Sequence, residues 1–139
     1  MKVLNLNYFF ILLGLTLFFT ISCASDDNSP EIAVVPATRT IDPELVGIWN
    51  GTVEGTLGSA NVSFTLQQDG AISAETDSQV LCPFSGSWWV SGGKFEASGE
   101  DECDGTSISL RGNGASSIKI SGNWTASSGN NGNFSMTKL

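Results

Sequence analysis

Three cysteines and no histidine set the chemistry open to this chain. Without imidazole, the commonest general base and the commonest metal ligand are both missing. Cys23 falls at the end of the apolar leader, so Cys82 and Cys103 are the pair that stays with the folded part. In an exported chain, an even pair predicts a disulfide. It would close a loop of roughly 20 residues, worth about 3 kcal/mol in the chain-entropy view. A metal site on these two thiols has no zinc-type spacing to support it, and a redox pair would be Cys-x-x-Cys.

Other reactive constellations are poor. There is no glycine-rich phosphate loop and no nucleophile with a visible base. Glu54, Glu75 and Glu96 fall on expected strands with nothing to pair any two of them, so no catalytic residues and no cofactor are assigned. Glu100-Asp101-Glu102 and Asp104 make a dense acidic loop. It reads either as a solvated loop pinned by Cys103 or as oxygen ligands for Ca²⁺, although its spacing is not that of an EF-hand. Trp89 points away from its aromatic neighbours, among Ser85, Ser87 and Ser91. An outward indole on a serine-rich face can stack on a sugar or anchor a partner, or lie covered by the linker, by an N-terminal strand or by a second sheet.

The elements that would position these groups begin with a leader. Met1 to Ser22 has a basic start at Lys2 and an apolar run, Tyr8 to Ile21, too short for the ~20 residues of a membrane span. It reads as a secretory signal, residues 1–22. The ending Thr20-Ile21-Ser22-Cys23 resembles a bacterial lipoprotein lipobox, with Thr20 where leucine is usual. By that resemblance Cys23 becomes the lipidated first residue; simple cleavage after Ala24 is the alternative. Asp26-Asp27 just beyond resembles the surface-export signal of Bacteroidetes lipoproteins. That implies an outer-membrane protein facing the cell exterior, with the periplasmic face as the alternative and the membrane as a partner through the lipid. Residues 23–43, carrying Pro30, Pro36 and Pro43, read as a disordered tether, although Ile32 to Val35 could pair as an edge strand. All 14 acidic residues but only five of the six basic ones follow Cys23. A balance that acidic argues against nucleic-acid binding.

Residues 44–139 alternate apolar and polar side chains, with no helical period. Val62, Phe64 and Leu66 face one way; Ile72 and Ala74, then Phe84, Gly86, Trp88 and Val90, continue that face. Phe95 and Ala97, Ile108 and Leu110, then Ile118, Ile120, Gly122 and Trp124, and finally Phe134, Met136 and the stem of Lys138 complete it. Asp69-Gly70 and Asn113-Gly114 read as two-residue hairpin pairs, the former as type I′, and Gly92-Gly93 as a tight turn. The expectation is an all-β fold of about eight short antiparallel strands in up-and-down order. Closure into a small barrel would remove the exposed edges, with a β-sandwich as the alternative.

Three tryptophans, each two residues after a glycine, punctuate the domain: Gly47-Ile48-Trp49, Gly86-Ser87-Trp88 and Gly122-Asn123-Trp124. In a strand such a pair shares one face, and the glycine leaves room for the indole to lie across a barrel end. The opening Leu45-Val46-Gly47-Ile48-Trp49 is similar to the first strand of the lipocalin and avidin superfamily of barrels. The ending Gly122-Asn123-Trp124 to Lys138 resembles small bacterial lipocalin-like lipoproteins. The resemblance implies that Trp49 closes the barrel base with Lys138 packed over it. Two functions follow as expectations. One is a surface-tethered, non-catalytic module for a small apolar ligand or a glycan. The other is a structural or protein-interaction lipoprotein, inhibitor-like as one form of it, with a filled core and no small-molecule ligand.

Overall fold

The computed structural model describes residues 37–139 apart from 57, 79 and 80. The leader, Cys23 and the patch from Ile32 to Val35 lie outside the described residues. The short strand β1 (Arg39–Thr40) is followed by one 3-10 turn, Pro43–Leu45. Then come β2 (Gly47–Gly55), β3 (Gly58–Leu66), β4 (Ala71–Thr76), β5 (Phe84–Ser91), β6 (Lys94–Asp101), β7 (Ser107–Gly112), β8 (Lys119–Ala126) and β9 (Asn131–Lys138). No α-helix occurs among the described residues.

Strands β2 to β9 each pair antiparallel with the next, and β9 pairs with β2. β5 and β6 pair over their full length, from Phe84↔Asp101 to Ser91↔Lys94. Those links close an eight-stranded barrel and decide against two stacked sheets. β1 is extra: it lies along β5 at Val90 and Ser91, beyond the point where β4 stops pairing.

Alternation puts the apolar set inside, where Phe64, Trp88 and Ile120 belong to one buried cluster with Phe95, Phe134 and Met136. A barrel this small must coil its strands tightly, and paired glycines on the inner face allow it. Gly86 lies opposite Gly99, and Gly112 opposite Gly122. A Cβ on Gly99 would sit 2.6 Å from the Gly86 Cα, inside any real contact distance. Gly55 and Gly132 form a third such pair.

The buried indoles find their partners at the barrel ends. Trp49 donates to the Leu45 carbonyl at 2.9 Å and Trp88 to that of Gln67 at 3.0 Å. Trp124 donates to Glu54 at the opposite end, at 3.1 Å. Each bond relieves an N–H that would otherwise be buried unpaired. The first end is closed. The 3-10 turn crosses it with Leu45 buried, capped by Asp42, whose carboxylate accepts the Glu44 N–H at 2.9 Å. Lys138 donates to the Glu44 carbonyl at 2.6 Å and lies 6.0 Å from the Trp49 ring centre. The second end holds the β2–β3, β4–β5, β6–β7 and β8–β9 connections.

Two turns differ from their sequence reading. At Asp69-Gly70 the Gly70 N–H bonds to the Gln67 carbonyl at 3.1 Å and Gln67 N–H to Ala71 at 2.9 Å. Only Gly70 of the pair has positive φ, at 87°, and no non-glycine residue among those described does. Type I′ needs positive φ at both central residues, so this is a three-residue loop with a bulge at Gly70. Asp69 instead accepts the Ala71 N–H at 2.9 Å. Asn113-Gly114 is no hairpin pair either: β7 ends at Gly112 and β8 starts at Lys119. The loop between them is tied across the closed end by the Ala115 N–H to the Gly93 carbonyl, 3.1 Å, and Ala115 packs on the core. Ile118, expected inside, is therefore 69% exposed. Gly92-Gly93 takes the expected tight turn, both at positive φ. Of the stretch read as tether, residues 37–43 are described, and Arg39 to Asp42 lie against the barrel.

Candidate functional site

The open end is where the barrel has room. Val53, Val62, Ala74, Phe84, Leu110 and Trp124, from six different strands, line an apolar cavity of about 70 Å³. Each is an inward position of its strand, so alternation and register together bring them around one space. Ala74 lies between Phe64 and Phe84, its register partners on the two neighbouring strands, and its single methyl leaves space open beside them. Leu81, Cys82, Ile108 and Trp124 also border a wider hollow of about 220 Å³, whose outer wall is Asp101, Asp104 and Ser128.

Cys82 and Cys103 are joined, with their Cα atoms 5.9 Å apart. The bond staples the β4–β5 connection to the β6–β7 loop across this mouth. The acidic loop is ordered by its own carboxylates. Asp101 accepts the N–H groups of Cys103 and Asp104, at 3.1 and 2.9 Å, and Asp104 accepts that of Thr106 at 2.8 Å. Hydrogen bonds from Thr106, side chain first and backbone second, hold the Asp104 carboxyl below its usual 3.8. Among the described residues no cluster of three or more His, Cys, Asp or Glu is arranged for a metal ion.

The barrel is electrically polar along its axis. Glu54, Glu75, Asp77, Glu100, Asp101, Glu102 and Asp104 lie on strand ends or loops of the open end, and among the described residues no basic one accompanies them. Arg39, Lys94, Arg111, Lys119 and Lys138 all lie toward the closed end, with Asp42, Glu44, Asp69 and Glu96. In an up-and-down barrel alternate connections share an end. The pattern was therefore available from the sequence by comparing charge in odd and even connections, a comparison the composition alone does not prompt.

Trp89 is outward and half-buried, away from this mouth. The Arg39 guanidinium lies 4.1 Å over its ring centre, and its N–H donates to the Glu96 carboxylate at 2.9 Å. Trp49 and Trp88 lie in the closed half of the core, and Trp124 lines the cavity near the open end. The structure thus gathers Cys82, Cys103, the acidic loop and Trp124 at one end and leaves Trp89 outside that group. Alternation marked Ala74 and Val62 as inward but not as cavity walls, because that depends on the size of the residues opposite them. No protein-family model matches the chain, and no curated protein or solved structure matches it either.

Proposed function

We propose that this chain is a lipoprotein anchored in the outer membrane through Cys23, facing the cell exterior, whose lipocalin-like barrel is a non-catalytic interaction module. Its open end grips a partner protein by one aliphatic side chain. The lipobox-like Thr20-Ile21-Ser22-Cys23 and the acidic Asp26-Asp27 support the anchoring. The chain joins the barrel at its closed end, through Arg39 and Thr40, on the side opposite the cavity.

The size of the apolar cavity carries the choice of occupant. Pockets for free small molecules run from roughly 300 Å³ upward, and an apolar cavity of about 150 Å³ holds one benzene. A volume of about 70 Å³ suits a branched aliphatic end. Burying four carbons yields about 3 kcal/mol, which alone is millimolar binding. An occupant that matters at lower concentration must bring more contact surface, and a protein does. The glycan alternative asks for an open indole face at Trp89, where Arg39 and Glu96 already hold the side chain.

Titration of the full chain with isobutanol and with dodecanoate, read by NMR at the Trp124 indole and the Ala74 methyl, tests the assignment. Millimolar, saturable shifts with isobutanol and none with dodecanoate are expected. Tight stoichiometric binding of dodecanoate would make the protein a ligand carrier instead. Loss of fatty-acid labelling in Cys23→Ala, and cleavage of the wild type by protease added to intact cells, check the anchor and its side.

A further inference from the structure

We infer that the segment entering the open end is basic, with Lys or Arg residues flanking the aliphatic side chain that fills the cavity. The inference rests on the reading of that cavity as an anchor socket. It adds the chemistry of what surrounds the anchor.

Charge segregation carries it. Among the described residues, seven carboxylates and no cation occupy the end that holds the cavity, while every base of the barrel lies toward the other end. General acidity of the chain would distribute its carboxylates over both ends. Here the closed end has five bases against four acids, close to balance. Asp101 and Asp104 line the hollow that leads to the cavity. A residue flanking a buried aliphatic anchor lies within the 8–10 Å over which such charges act at physiological salt. Their field draws a cationic segment in, sets its register over the anchor and turns away an acidic one. The Asp101 and Asp104 carboxylates are fixed by backbone N–H groups before any partner arrives, so presenting them costs little ordering.

The test uses the full chain in phosphatidylcholine nanodiscs and three blocked peptides, Gly-Lys-Leu-Lys-Gly, Gly-Glu-Leu-Glu-Gly and Gly-Lys-Ala-Lys-Gly, followed at the Trp124 indole and Ala74 methyl. The lysine–leucine peptide is expected to bind about ten-fold or more tighter than the glutamate–leucine peptide at low salt, with the gap narrowing as ionic strength rises. Asp101→Asn with Asp104→Asn keeps the loop's acceptor oxygens and should shrink that gap several-fold while leaving the dependence on leucine. Equal binding of the two leucine peptides would overturn the basic partner and leave the socket standing. If leucine and alanine peptides bind alike, or none reaches the cavity, the socket itself falls and the inference with it.

Discussion

The Arg39 guanidinium lies over the Trp89 indole, 4.1 Å from the ring centre, while the same indole donates its N–H to Glu96. Trp89 is thereby a latch. It holds the incoming chain against β5 at the only place where β4 leaves that strand's edge free. An exposed cation–π contact is worth about 0.5–1 kcal/mol. Arg39→Ala should cost about that much in urea unfolding. It should also raise acrylamide quenching selectively, because Trp49, Trp88 and Trp124 are 0, 1 and 6% exposed. Unchanged quenching would show that Arg39 does not cover the ring in solution.

The Cys82–Cys103 bond spans 21 positions and joins two connections at the open end. In the chain-entropy model its removal costs about 3 kcal/mol. Cys82→Ser with Cys103→Ser should lower the urea midpoint by that amount and keep the strand signature in circular dichroism, because the core cluster lies between the strands. Loss of the fold altogether would mean the bond, and not the core, closes the barrel.

Gly86→Ala is the severe substitution. Its Cβ would stand 2.5 Å from the Gly99 Cα and closer still to the Ser98 carbonyl, with backbone on every side. Such a clash has no side chain to give way, so β5 and β6 must separate. A loss of about 3 kcal/mol or more is expected from strain of this kind, seen as a fall in midpoint and in hydrogen-exchange protection along β5 and β6. A loss under about 1 kcal/mol would show that the two strands sit farther apart.

Much of this architecture was legible from parity. Side chains two apart share a face, so Val62, Phe64 and Leu66, and Phe84 and Trp88, announced the core. An even pair of thiols left after Cys23 announced the disulfide. Three things were less visible, each for a physical reason. Asp69-Gly70 suits both a two-residue turn and a three-residue loop; which one forms depends on the register of strands β3 and β4. Ile118 has the right parity, but the long loop before β8 lets the chain reset its facing and send Ala115 inward. The cavity is a difference in volume between Ala74 and the aromatics opposite, which a pattern of apolar and polar residues does not encode.

Asp104 makes a prediction in pH. Hydrogen bonds from Thr106 favour its charged form and hold its pKa below the usual 3.8. A carboxyl depressed on folding stabilises above its unfolded value and loses that contribution as pH falls through the folded one. The contact between Asp104 and Thr106 should therefore hold through the ordinary carboxylate range and be lost only below it. The Thr106 amide shift, followed by NMR, should titrate with a midpoint below 3.8, whereas a midpoint at or above it would place the Asp104 carboxylate away from Thr106.

Ala74→Val separates the cavity from a merely well-packed core. Ala74 faces inward, 5% exposed, on the wall of the 70 Å³ space. If that space exists in solution, two added carbons enter it without displacing Phe64 or Phe84. They should then contribute up to about 1.5 kcal/mol of burial, on a residue type that strands favour. If the core is already full, the same change is overpacking and costs about 1–3 kcal/mol. Binding must move the other way, because the valine occupies the place of the partner's aliphatic end. A variant that is more stable and takes up isobutanol several-fold more weakly is the expected result. A destabilised variant would remove the cavity, and with it the reason to assign this end of the barrel a partner.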